Sequence, residues 1–239
     1  MKAPFRADHV GSLLRPESLR TARREFHEGR MTAVELRRRE DLAIAEAVAK
    51  QEAIGLESIT DGELRRDWWH IDFLRRLAGV SVAQNAGPKF RATGEQPPIA
   101  TVTGRVRLVS PIMVDDFQFL KSCTRRTAKF TLPSPSMLHL RGGRRAISGA
   151  VYPDLEEFWA DLAVAYRSAI AAFAAAGCQY LQLDDVSFAY LCDAKVRATC
   201  RENGDDPQAL PRTYAAAINQ ALAGRPPGMA ITMHTCRGN

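Results

Sequence analysis

Two side chains near the end of the chain, His234 and Cys236, flank a single residue in Met233-His234-Thr235-Cys236. On an extended backbone, positions i and i+2 project to the same side. An imidazole and a thiolate placed that way can share one borderline cation, zinc before others. A structural zinc site takes four ligands and this motif supplies two. The plainer alternative is a pair of polar residues at a strand end. Asp184 and Asp185 close the apolar stretch Tyr180-Leu181-Gln182-Leu183. Paired carboxylates there can hold an amino group or a metal, or act as acid and base. They can equally cap a helix or pair with an arginine. Glu63, in Thr60-Asp61-Gly62-Glu63-Leu64-Arg65-Arg66, is either a further acid of this kind or a turn residue paired with Arg65 or Arg66. Val10-Gly11-Ser12 offers backbone N–H groups to a carboxylate, with a glycine that permits close approach. A simple strand-to-helix turn would read the same. His9, His70 and His139 read as ordinary polar or capping residues.

Each candidate group follows a stretch that reads as a strand. The first such stretch ends at Val10-Gly11-Ser12 and runs into a basic, helical region. Thr32 and Glu35 form a capping box for a helix that stops at Gly55. Leu56 to Thr60 reads as a strand. Residues 79–110 alternate Val and Thr around a Gly/Pro-rich loop, the pattern of a β-hairpin-like insertion. Lys129 to Leu132 reads as a buried strand ended by Pro133-Ser134-Pro135-Ser136. A helix opens at Asp154, carries Leu155, Phe158, Trp159, Leu162, Tyr166, Ile170 and Phe173 on one face, and closes at Gly177. Tyr180 to Asp185 is the next strand, Pro211 to Ala223 the next helix, and Met229 to His234 the last strand. Strands alternating with amphipathic helices argue for a parallel α/β fold. Polar residues just after the strands are where a (β/α) barrel builds its catalytic mouth. The expected fold is therefore α/β of the (β/α)8 TIM-barrel type, incomplete at about five of eight strands. It forms one domain over residues 1–239 with a β-rich insertion at about 79–110.

The chain has 239 residues, 46% hydrophobic and 25% charged, so wholesale disorder is excluded. No apolar run approaches the ~20 residues of a membrane span. The opening MKAPFRADHVGS lacks the apolar core of a secretory signal. Five cysteines, an odd number with no CxxC, fit a reducing compartment, and a cytoplasmic location is expected. The net charge of +6 has a visible source: Arg15 to Arg39 holds eight arginines against four glutamates. No aromatic residues alternate with them, so the stretch reads as a solvated face and not as a nucleic-acid platform.

In order along the chain come Phe5-Arg6-Ala7-Asp8-His9-Val10-Gly11-Ser12-Leu13-Leu14-Arg15-Pro16, Ile59-Thr60-Asp61-Gly62-Glu63, Tyr180-Leu181-Gln182-Leu183-Asp184-Asp185 and Met233-His234-Thr235-Cys236-Arg237-Gly238-Asn239. Together they resemble the catalytic domain of cobalamin-independent methionine synthase, and more closely its stand-alone, single-barrel relatives. The resemblance runs over essentially the whole chain. It implies a zinc-dependent methyltransferase acting on a thiol, most simply homocysteine. Gly11 and Ser12 match the loop that holds the homocysteine carboxylate. Glu63 and Asp184 match the acids that hold its amino group. His234 and Cys236 match the first two ligands of the Zn2+ cofactor. Asp185 stands where larger synthases often carry glutamate, and its role stays open; no residue is assigned as the catalytic acid or base. The family's other zinc ligands, a glutamate and a second cysteine, lie beyond the H-x-C motif, as does the histidine proposed to protonate the departing folate. A chain truncated after that motif, with the last barrel strands absent, is the expectation. Expected partners are homocysteine or another small thiol and a methyl donor, either a methylated folate or a corrinoid. A homo-oligomer is allowed, and neither nucleic acid nor membrane is expected. Two alternatives remain open: another zinc thiol alkyltransferase of the superfamily, such as an epoxide-to-coenzyme M transferase, or a truncated product without catalysis. Paired acids facing the thiol site would repel the sulfonate of coenzyme M.

Overall fold

The computed structural model describes residues 3–83 and 98–236. In chain order it contains α1 (Glu17–His27), α2 (Ala33–Ala53), β1 (Ser58–Ile59), α3 (Ile71–Leu74), β2 (Ala78–Ala83), β3 (Ile99–Arg107), α4 (Val114–Cys123), β4 (Thr127–Pro133), α5 (Leu155–Ala175), β5 (Tyr180–Asp185), α6 (Ser187–Tyr190), α7 (Ala194–Glu202), α8 (Leu210–Leu222) and β6 (Ala230–Thr235). Strands β1, β4, β5 and β6 form one sheet in that order, with every pairing parallel. The parallel α/β fold is therefore present, as a four-stranded sheet among the described residues. β2 and β3 pair antiparallel. The Gly/Pro-rich stretch 84–97 between them lies outside the described residues, as do Arg237, Gly238 and Asn239 at the end of the last motif. No helix of the described residues is long and apolar enough to cross a membrane.

Local chemistry sets the element ends. Thr32 accepts a hydrogen bond from the Glu35 N–H at 3.3 Å, and the Glu35 carboxylate accepts from the Thr32 N–H at 2.9 Å. This reciprocal pair starts α2 as the capping box requires. Asp154 starts α5 by accepting from the Glu156 N–H at 2.9 Å. The basic stretch is two helices and does more than face solvent. Arg23 of α1 donates to Glu40 of α2 at 2.9 Å and to the Leu64 carbonyl at 2.6 Å. Arg37 reaches Asp116 on α4 at 2.6 Å.

The parallel sheet has two unlike faces, because side chains alternate along each strand. Phe130, Leu132, Leu181 and Leu183 occupy the apolar face, all buried. Phe130 lies 5.2 Å from Phe173 of α5 and 6.2 Å from Phe117 of α4, measured between ring centres. Tyr166 of α5 donates to the Pro133 carbonyl at 2.8 Å, which locks the helix onto the end of β4. The forward part of the α5 stripe packs elsewhere. Phe158 meets Tyr152, and Trp159 meets His139 and Tyr214 of α8.

The opposite face is polar and still buried: Ser58, Thr60, Lys129, Thr131, Tyr180, Gln182 and Asp184. The segment Asp8–Gly11 lies across it. Expected as a first strand, this segment has no strand conformation, which reduces the five expected parallel strands to four. The reason is visible in its carbonyls, which bond to side chains instead of to a backbone ladder. Lys129 donates to the His9 carbonyl. Gln182 donates to that of Val10 at 2.6 Å, and Thr60 to that of Gly11 at 2.8 Å. The Asp8 carboxylate accepts from Ser58 at 2.5 Å, from Lys129 at 3.1 Å and from Tyr180.

Candidate active site

Residues 61–70 leave the end of β1 in a run of turns. Asp61 accepts from the Glu63 N–H at 3.0 Å, and the Gly62 carbonyl accepts from the Leu13 N–H at 3.0 Å. The second bond ties this loop to the stretch after Gly11. Arg15 adds a bond to the Glu63 carbonyl at 3.3 Å. Glu63 has φ 56°, in the left-handed region that a residue with a side chain rarely enters. The turn holds it there, and such strain collects at functional positions.

The Glu63 side chain is buried. Its carboxylate accepts from Thr131 Oγ1 of β4 at 2.7 Å and lies 3.5 Å from the Arg66 guanidinium. Arg66 is buried as well, donates to the Thr131 carbonyl, and lies over the Phe130 ring at 5.2 Å. Burial pushes the Glu63 carboxyl above its ordinary range; Arg66 pulls it back, and the charge of Asp184 pushes it further up. The charge of Asp184 thus reaches Glu63, although Glu63 stands in the loop after β1 and Asp184 within β5. Gly11 closes the same corner. A Cβ built on it would lie 2.6 Å from Thr131 Cγ2, and its φ of +128° is one that side chains avoid. Ser12 follows, exposed at the rim.

Asp184, the last residue but one of β5, lies directly opposite His234 in the β5–β6 register. Its Oδ1 accepts from Gln182 Nε2 at 2.8 Å and faces His234 Nδ1 at 3.2 Å. Cys236 continues the pairing through its N–H, which donates to the Asp185 carbonyl at 2.9 Å. The Asp185 side chain turns the other way. It accepts from the N–H and hydroxyl of Ser187, both at 2.7 Å, and from Ser136. Asp185 therefore acts as the cap of the turn into α6, while Asp184 faces the polar side of the sheet.

Among the described residues, no three His, Cys, Asp or Glu side chains gather as a metal ion would need. The nitrogen and sulfur of His234 and Cys236 have the right character for zinc, but two protein donors fall short of the three a catalytic zinc takes. The histidines read as structural behave unequally. His9 contacts Gln51 at 2.9 Å, and His139 contacts Tyr214 at 2.9 Å. His70 is buried with neither ring nitrogen bonded, and burial pushes its pKa down to about 3. The sequence alternative that paired Glu63 with Arg66 is the pairing the structure has, whereas sequence reasoning passed over Thr131 and Gln182. A signal for both was present: Lys129-Phe130-Thr131-Leu132 and Tyr180-Leu181-Gln182-Leu183 alternate polar-capable and apolar residues, which marks a sheet with one polar face.

A family profile described as the catalytic domain of cobalamin-independent synthase matches residues 5–238. The uncharacterized protein YxjH of Bacillus subtilis strain 168 is 47% identical over the whole chain, which spans 63% of that relative's length. A methionine synthase of Sulfurisphaera tokodaii is 29% identical over 181 residues, or 74% of this chain and 50% of its own. A solved structure from Listeria monocytogenes, provisionally named a vitamin-B12 independent methionine synthase, is 44% identical. It superposes with a TM-score of 0.82 over 100% of this chain and 67% of its own. With matches of this extent, the chain belongs to the family of cobalamin-independent synthase catalytic domains.

Proposed function

We propose that this chain carries the thiol-binding portion of a zinc-dependent methyltransferase, with homocysteine as the acceptor and methionine as the product. The observation that supports it is the pair of buried acids, Glu63 from the loop after β1 and Asp184 from β5, near enough for the charge of one to act on the other, with His234 beside Asp184. Two carboxylates concentrated in a low-dielectric corner favour a cation, and an α-ammonium group supplies one. Arg66 and Thr131 hold the Glu63 carboxyl group in place before the substrate arrives. The N–H groups around Gly11 and Ser12 take the α-carboxylate. His234 and Cys236 are the nitrogen and sulfur that would hold zinc, and zinc bound there would supply the positive charge that lowers the pKa of a substrate thiol. The acceptor sulfur, its proton released, bonds to the methyl carbon in line as the bond from that carbon to the methyl donor breaks and the donor leaves with the electron pair; the protein's part is proximity and orientation. A sulfonate-bearing thiol fits this corner poorly, because both acids would repel it.

Calorimetry on the 239-residue chain tests the reading. Three thiols are compared: homocysteine, 4-mercaptobutyrate, which lacks only the amino group, and 2-mercaptoethanesulfonate. Homocysteine should bind tightest, and Glu63→Gln and Asp184→Asn should each weaken it by about tenfold or more, as a lost charge-assisted bond implies. Neither change should weaken 4-mercaptobutyrate. Equal or tighter binding of the sulfonate would overturn the assignment.

A further inference from the structure

We propose that Asp184 is a positioning residue for His234, in addition to its role toward the substrate ammonium; this extends the functional reading given above. The Asp184 carboxylate has one oxygen, Oδ1, that faces His234 Nδ1 at 3.2 Å and accepts from Gln182 Nε2 at 2.8 Å. The parallel register places Asp184 and His234 side by side, so the contact follows from the backbone and not from a chance rotamer. Gln182 is buried, and the same Nε2 also donates to the Val10 carbonyl at 2.6 Å. The carboxylate is therefore held by a residue that is itself held.

A carboxylate opposite Nδ1 demands a proton there. In a neutral imidazole the second nitrogen, Nε2, then carries the lone pair. Free histidine prefers the opposite arrangement, so the contact selects a tautomer and orients the ring. The consequence is that His234 presents Nε2 as its electron-pair donor, on the side of β6 it shares with Cys236. Histidines that donate to metals are commonly oriented by a carboxylate on the other nitrogen. Here that carboxylate is also the proposed ammonium acceptor. One side chain would then couple recognition of the amino group to the orientation of the donor nitrogen. Oδ2 is the oxygen left for the substrate.

The test reads the ring directly and needs no metal. In the 15N-labelled chain at a pH where imidazole is neutral, long-range proton–nitrogen spectra distinguish the two tautomers, and His234→Gln assigns the signal. The wild-type chain should show His234 protonated at Nδ1. Asp184→Ala should return it to the Nε2-protonated form, and Asp184→Asn, which keeps a carbonyl acceptor, should restore Nδ1 protonation at least in part. Gln182→Leu should loosen the preference without reversing it. A wild-type His234 protonated at Nε2 or at both nitrogens would overturn the inference with no variant required, as would an Asp184→Ala chain that keeps the Nδ1 proton. The two readings fail separately: loss of homocysteine binding with the Nδ1 tautomer intact removes the functional proposal alone, whereas the wrong tautomer removes only this one.

Discussion

Replacing Lys129 with methionine tests the polar face of the sheet where it is most deeply buried. The Lys129 side chain is 1% exposed and Asp8 is 18% exposed, with the ammonium 3.1 Å from each carboxylate oxygen. Methionine keeps the length of the side chain and its packing but removes the charge. Breaking a buried pair from one side costs about 3–5 kcal/mol. Asp8 retains its bonds from Ser58 and Tyr180, which argues for the lower end, about 3 kcal/mol. In a domain of this size that corresponds to a Tm lower by roughly 6–12 °C. The pH dependence has a definite sign. Burial alone would raise the Asp8 pKa, but hydrogen bonds from Ser58, Tyr180 and Lys129 outweigh it and hold the carboxyl below its ordinary range. A depressed carboxyl stabilises the fold above its unfolded pKa, and the contribution disappears as pH falls through the folded value. Wild type and Lys129→Met should therefore differ most near neutrality and converge in acid. Urea denaturation across pH, with Asp8→Asn and the double variant, measures the coupling. A loss below about 1 kcal/mol, or strict additivity in the double variant, would refute the buried-pair argument. Because Lys129 also bonds the His9 carbonyl, faster amide exchange at Val10 and Gly11 should accompany the loss.

Leu162, fully buried on α5, should cost about 2–5 kcal/mol when cut to alanine; a change within 0.5 kcal/mol in denaturant titration would show that this face is not core. Gly11→Ala should destabilise by about 1–3 kcal/mol through its positive φ and the contact with Thr131, and an unchanged Tm would deny the close approach. Glu63→Gln should weaken homocysteine binding and lower the Tm near neutrality, because it leaves the buried Arg66 guanidinium without the carboxylate 3.5 Å away that favours its charge. The Glu63 pKa is raised, so the folded state holds its proton more tightly, and wild-type stability declines as pH rises from the unfolded to the folded value. If Glu63→Gln melts higher than wild type at neutral pH, the ion-pair argument fails.

Much of this molecule is local and was legible in the chain itself. The Thr32–Glu35 box and the Asp154 cap start their helices because the partners are within four residues of one another. Parallel strands were readable at Tyr180–Asp185 and Met229–His234, where apolar alternation and flanking turns act over a few residues. The H-x-C pair needs only an extended backbone to bring its side chains to one side. The tertiary structure decided what depends on distant partners. Asp8–Gly11 looked like a strand, yet its carbonyls are claimed by Lys129, Gln182 and Thr60, and no local propensity records that competition. Asp184 and Asp185 are adjacent and chemically identical. Alternation sends them to opposite faces, so one joins Gln182 and His234 on the polar face and the other caps the turn into α6. Glu63 finds Arg66 three residues along its own loop, but its bond from Thr131 exists only because the sheet order sets β1 beside β4, and the Asp184 charge reaches it only because β4 lies beside β5. Charge in a buried corner depends on which groups share it, and that is fixed by three-dimensional neighbourhood, not by spacing along the chain.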